Sequence, residues 1–283
     1  MVGTHHEARA IYEQQRTETA CIAGTDHGST SSSGACSVAA SSHEQSPRPA
    51  IVRASPTYES RASSHVYGRG LCRAAWDSTS GRESELTLFA HEPLGAPAAD
   101  KPAVLLIHGG GFTDGSAGAM QTLAKEFASR GWVAFTINYR KERDYGSLPA
   151  CWPPTENVAA EEPALIQWWA AMHEHCWKAK KMYPAARDAK AALRYIHANT
   201  QRFGILADAI VAVGNSAGGY LSCMLGLSDP TDFRDEIGIN EDQTLLTTHI
   251  GARSDVAASV VLAGSPDIMR LLQVRQSGNQ RGA

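Results

Sequence analysis

The sequence predicts an α/β fold: a mostly parallel sheet with helices on both faces. Three observations carry this prediction. Ala103–His108 (AVLLIH), Trp132–Asn138 (WVAFTIN) and Ala209–Gly214 are continuous apolar runs rather than alternating ones, as strands buried on both faces are. Segments with helical spacing separate them. Strands that alternate with helices imply a parallel sheet, because each crossover carries the chain back over one face.

The elements justify themselves in order. Residues 1–64 are rich in Ser, Thr, Ala, Gly and His, with few large apolar side chains to offset the entropy of ordering. They are expected to form a disordered leader, with the folded domain spanning residues 65–283. Glu85–His91 (ELTLFAH) partly alternates and reads as a strand. Ala103–His108 follows, then a helix over residues 116–130 that stops at Gly131. After the strand Trp132–Asn138, residues 141–182 form an insertion, first Pro-rich, then aromatic and helical. Its position after a strand's carboxyl end suits a cap over a pocket; the plainer reading is a surface helix with Trp168, Trp169 and Met172 as core contacts. Residues 184–203 read as an Ala-rich amphipathic helix with Pro184 near its start and Gly204 past its end. Ala209–Gly214 is a strand, Ala217–Leu227 a helix and Ser259–Gly264 a last strand.

Composition narrows the function. The chain has 283 residues, 43% hydrophobic and 19% charged, enough for a sizeable core. A net charge of −3 with scattered Lys and Arg predicts neither nucleic acid nor an anionic membrane as partner. No apolar run approaches the ~18 residues of a membrane span, and the N-terminus has no apolar signal core, so the default expectation is cytoplasmic. The six cysteines show no metal-binding spacing and read mostly as free thiols, with Cys223 in the core.

The chemistry concentrates at two glycine-rich turns. Gly214-Asn215-Ser216-Ala217-Gly218 fits G-x-S-x-G between an apolar strand and a helix. A sharp bend there presents the Ser216 hydroxyl above the sheet, with glycine needed two residues to either side because side chains would collide. The N–H of Ala217 then opens a helix and can bind an oxyanion. His108-Gly109-Gly110-Gly111-Phe112 follows the first buried strand, so Gly110 and Gly111 can aim N–H groups at the same point. His108 reads as orienting this loop rather than transferring protons. The plainer reading is a flexible loop; nucleotide binding is discounted because neither GxxxxGK[ST] nor GxGxxG is present.

AVLLIHGGGF, WVAFTINYR, YPAARDAKAALRYIHAN and AVGNSAGGYLS together resemble the α/β-hydrolase fold, in its carboxylesterase and hormone-sensitive-lipase-like branch, over roughly Val66 to Asp267. The resemblance implies hydrolysis of a small-molecule carboxylic ester through an acyl-enzyme, without metal or cofactor. By matching position, Ser216 is the nucleophile and Gly110, Gly111 and Ala217 supply the oxyanion hole.

The family orders its triad Ser, acid, His. Only one histidine, His249, follows Ser216. His249 precedes the last strand and is expected near the opposite rim of the sheet. His173 and His175 belong to the insertion and, two apart on a helix, face different ways. Asp267 is a candidate acid just after a strand; its plainer reading is a helix N-cap. The chain therefore reads as C-terminally truncated, with the last strands missing, activity impaired and an exposed edge strand open to self-association. The alternative is a non-catalytic small-molecule-binding protein on the same fold.

Overall fold

The structure, a computed structural model, describes residues 58–76, 78–149 and 163–265, with the backbone alone over 163–179. Six strands form one sheet in the order β1-β2-β4-β3-β5-β6. β1 (Ser60–Arg73) and β2 (Gly81–Pro93) form an antiparallel pair with a register shift between Val66 and Gly68. β2 meets β4 (Val133–Ile137) antiparallel. From there inward the sheet is parallel: β4 beside β3 (Lys101–Ile107), β3 beside β5 (Ile205–Gly214), β5 beside β6 (Ala258–Val261).

Helices cover both faces. The central strand β3 shows how: Val104 and Leu106 pack with Met120 and Ala124 on one face, while Leu105 and Ile107 join the larger cluster on the other. That alternation is the period-2 geometry of a strand, hidden in the sequence because both sets are apolar. α1 (Gln121–Ser129) covers the first face. α2 (Pro163–Ala198) and α4 (Ala217–Leu227) cover the second, with the short α3 (Thr200–Phe203) between α2 and β5. Among the described residues no helix is long and apolar enough to cross a membrane.

Four expectations change. β1 opens at Ser60, inside the segment read as leader. Its SRASSH start carries no burial pattern because it is a sheet edge, ordered by main-chain pairing to β2 rather than by side-chain burial. Residues 1–57 lie outside the described residues, as do 150–162 of the insertion.

The helix expected from Pro184 instead runs unbroken from Pro163 and has Pro184 in its interior. A proline there removes one main-chain donor from the helical ladder. Burial of the flanking Tyr183, Ala185 and Ala186 against the sheet holds the helix through this defect. The expected amphipathic character also fails. Arg187, Asp188, Lys190 and Arg194 are as buried as the alanines between them. Asp188, Lys190 and Arg194 make hydrogen bonds inside and Arg187 faces Asp242, so the charges that suggested a solvated face mark a polar core layer instead.

Cys223, expected in the core, is only partly buried; it and the buried Cys72 are free thiols.

Candidate functional site

β5 ends at Gly214, and the chain reverses through Asn215 and Ser216 into α4. Ser216 has φ 54° and ψ −120°, a region that non-glycine residues enter only under constraint. The residue is exposed, and its side chain does not cap the helix it precedes. The hydroxyl is therefore presented outward by a strained backbone.

The flanking glycines have a steric cause, though the clash is with backbone rather than between side chains. A Cβ on Gly214 would run into the Gly218 carbonyl oxygen, and a Cβ on Gly218 into the Ile107 carbonyl oxygen at the end of β3. The bend thus packs main chain against main chain on both sides of Ser216.

The triple-glycine loop leaves β3 directly beside this bend. A Cβ on Gly109 would stand 2.8 Å from the Asn215 carbonyl oxygen and 3.1 Å from the Ser216 Cβ. Gly110, at φ 119°, accepts hydrogen bonds through its carbonyl from the N–H groups of Thr113 and Asp114. That turns the Gly110 peptide into a tight loop. Gly110 and Gly111 are exposed, and neither N–H has an intramolecular acceptor among the described residues. Ala217 is the first residue of α4, where N–H groups lack helical acceptors.

The loop is braced by residues that sequence reasoning did not single out. The Tyr139 hydroxyl donates to the His108 carbonyl at 2.9 Å, and its ring stacks on the His108 imidazole with centroids 4.2 Å apart. His108 Nδ1 lies 2.6 Å from the Gly109 carbonyl oxygen. Burial pushes the His108 pKa down and Lys141 adds to this, while the contact with the Gly109 carbonyl opposes it. Asn138 Oδ1 accepts from the Ala117 N–H at 2.8 Å, and the Glu142 N–H donates to the Phe112 carbonyl at 2.9 Å. Arg140 is fixed to α2: its N–H donates to Asp188 Oδ2 at 2.7 Å, and its Nη2 to Asp188 Oδ1 at 2.7 Å. Burial alone would lower the Arg140 pKa, but the Asp188 charge and hydrogen bonds overcome it and raise it. Asn138-Tyr139-Arg140 thus ties the end of β4 to the glycine loop on one side and to α2 on the other. The only hint in the sequence was three polar side chains directly after a buried strand.

The other histidines lie elsewhere. His249 packs edge-on against Tyr195, which neighbours His65; His65 in turn packs on Phe203, just before β5 begins. His249 is therefore at the end of the sheet opposite Ser216. His197 faces Asp255, and His91 is buried in β2. The side chains of His173 and His175, and the whole of Asp267, lie outside the described residues. Among the described residues no imidazole is hydrogen-bonded to Ser216.

Residues 155–282 match the family model described as BD-FAE, an α/β-hydrolase-type esterase family. A search of curated proteins found no match. Among solved structures, the chain is similar to Thermogutta terrifontis esterase 2 phosphorylated by paraoxon, at 23% identity over 66% of this chain and 54% of that one, with a TM-score of 0.40. The butyrate-bound form of that esterase gives 20% identity over 76% and 62%, TM-score 0.44. A bacterial heroin esterase gives 24% identity over 59% and 38%, TM-score 0.35. The chain spans about half the length of the paraoxon-phosphorylated and apo forms of the Thermogutta enzyme. A mostly parallel sheet with helices on both faces and a G-x-S-x-G bend between β5 and α4 give this chain the architecture of an α/β-hydrolase fold, and its residues 155–282, just under half of the chain, are similar to the BD-FAE family.

Proposed function

We propose that the chain hydrolyses carboxylic esters through an acyl-enzyme on Ser216. The observation that carries this reading is the strained, exposed Ser216 at the head of α4 with the triple-glycine loop packed on it. Ser216 Oγ adds to the ester carbonyl carbon and gives up its proton to a base. The carbonyl oxygen becomes an oxyanion, held by the N–H groups of Gly110, Gly111 and Ala217. Collapse expels the alcohol, which takes the proton. Water then adds to the acyl-enzyme, and the acid leaves as Ser216 regains its hydrogen. Donors set in place before charge develops are where such sites gain most of their rate. No cofactor enters the scheme.

The base and the acid are the parts this reading leaves to residues beyond those described, Asp267 remaining the candidate acid. In protease examples a triad that has lost a member still exceeds water by ~10³–10⁴-fold, from the oxyanion hole and binding alone. Slow turnover that depends wholly on Ser216 is thus the minimum expected. The test is p-nitrophenyl acetate hydrolysis by the full chain: Ser216→Ala abolishes it. Turnover unchanged by that substitution sinks the proposal.

A second reading, a non-catalytic ester-binding protein on the same fold, is favoured by one observation: no imidazole meets Ser216 among the described residues. Binding of p-nitrophenyl acetate with no Ser216-dependent turnover selects it.

A further inference from the structure

The face of α2 beneath Arg140 buries more positive charge than its carboxylates cancel. Arg140, Arg187 and Arg194 are all at most 5% exposed, and together with the buried Asp188 and Asp242 they line one cavity. Three guanidinium groups against two carboxylates leave one positive charge. The neighbouring charges do not remove it: Arg69, at the rim, pairs with Glu83, and Arg234 pairs with Asp235.

The hydrogen bonds show where that charge sits. Asp188 is taken up by Arg140. Asp242 accepts from Ser147 Oγ at 2.9 Å, from the Thr244 N–H at 3.1 Å and from Thr244 Oγ1 at 2.5 Å. Its Oδ2 comes no nearer to Arg187 Nη1 than 3.5 Å. Arg194 gives Nε to the Thr248 carbonyl and Nη2 to Thr248 Oγ1. Four buried nitrogens are left without an acceptor among the described residues: Nε, Nη1 and Nη2 of Arg187 and Nη1 of Arg194. Such orphans are rare in folded proteins and call for a missing partner.

The cavity measures about 10 Å³, room for one particle the size of a water molecule. A polyatomic oxyanion is too large for it. Water fits but accepts only two hydrogen bonds and leaves the charge uncompensated. A halide can accept several N–H hydrogen bonds at once and cancels the single excess charge. We propose that this cavity is a binding site for one small monovalent anion of halide size, held between Arg187 and Arg194. Burial pushes the pKa of both arginines down, which is the strain that such an anion relieves. The ion ties α2 to residues 242–248, next to the Arg140–Asp188 pair that anchors the end of β4.

The test uses the full chain. Thermal unfolding is followed in sodium chloride and in sodium gluconate at matched ionic strength. Binding to the folded state raises Tm in chloride by ~2–4 °C relative to gluconate. Arg187→Gln, checked for folding by far-ultraviolet circular dichroism, loses that difference. Equal Tm in the two salts, or a chloride effect that survives Arg187→Gln, overturns the proposal. An independent measurement needs no variant: crystals soaked in sodium bromide show an anomalous peak within hydrogen-bonding reach of Arg187 and Arg194. No peak there overturns it equally.

Discussion

Asp188→Ala is expected to be among the most damaging substitutions far from Ser216. The carboxylate is 1% exposed at the side chain and its partner Arg140 6%, so neither charge has water to fall back on. Asp188 receives the Arg140 N–H and its Nε and Nη2 donors; only the Nη1 bond to the Leu71 carbonyl, at 3.0 Å, is independent of it. Removing the carboxylate leaves a buried guanidinium with one partner. Breaking such a pair from one side costs about 3–5 kcal/mol. For a domain of this size that lowers Tm by ~6–20 °C. Equilibrium unfolding in urea measures the loss directly. The double replacement Arg140→Met with Asp188→Leu removes both charges and is expected to recover most of it, because an apolar pair of similar volume carries no desolvation cost. A single variant that loses less than ~1 kcal/mol refutes the reasoning. So does a double variant no better than the single one, since the cost would then lie in packing rather than in the stranded charge.

Four further outcomes are expected. Gly218→Ala drives a Cβ into the Ile107 carbonyl oxygen and to 2.7 Å from the His108 carbonyl oxygen; a loss of ~1–3 kcal/mol is expected by denaturant titration, and wild-type stability would contradict the packing described. Tyr139→Phe keeps the ring stacked on His108 but removes the bond to its carbonyl, costing about 1 kcal/mol. If that bond positions the glycine loop, kcat for p-nitrophenyl acetate falls while KM holds. Stability should drop as pH falls below 6.5. Burial depresses the imidazoles of His91 and His108, so below that ordinary value the unfolded chain binds more protons than the folded one. The stability is therefore complete above 6.5 and lost as pH falls through the lower folded values; unfolding free energies that stay flat from pH 7 to 5 would contradict this. Finally, β6 is the sheet's last strand among the described residues, and Val260, Val261 and Leu262 are exposed there. We propose self-association of two copies along that edge, so Val261→Lys shifts sedimentation toward monomer; identical sedimentation of variant and wild type counts against it.

How far the sequence could be read depended on whether a residue's role was local. The bend at Ser216 was legible because its requirement, glycine two residues to either side between a strand and a helix, is written in five consecutive letters. The apolar strands were legible for the same reason: double burial makes a continuous run. β1 was not, because an edge strand is held by main-chain bonds that do not depend on residue type. Nor was the burial of Arg187, Asp188, Lys190 and Arg194. On a helix their spacing suggests a wet face, and only long-range partners such as Arg140, 48 residues away, make them core. Tyr139 was missed because its partner, the His108 carbonyl, is main chain and leaves no mark in the sequence.

The most direct measurement is covalent. A fluorophosphonate reacts with an activated serine and leaves its phosphonyl group on that oxygen. Incubated with the folded full chain and mapped by peptide mass spectrometry, it should give a single adduct on the peptide carrying Ser216, absent in Ser216→Ala and after unfolding. No adduct on the folded protein, or one that persists after that substitution, contradicts nucleophilic chemistry at this bend.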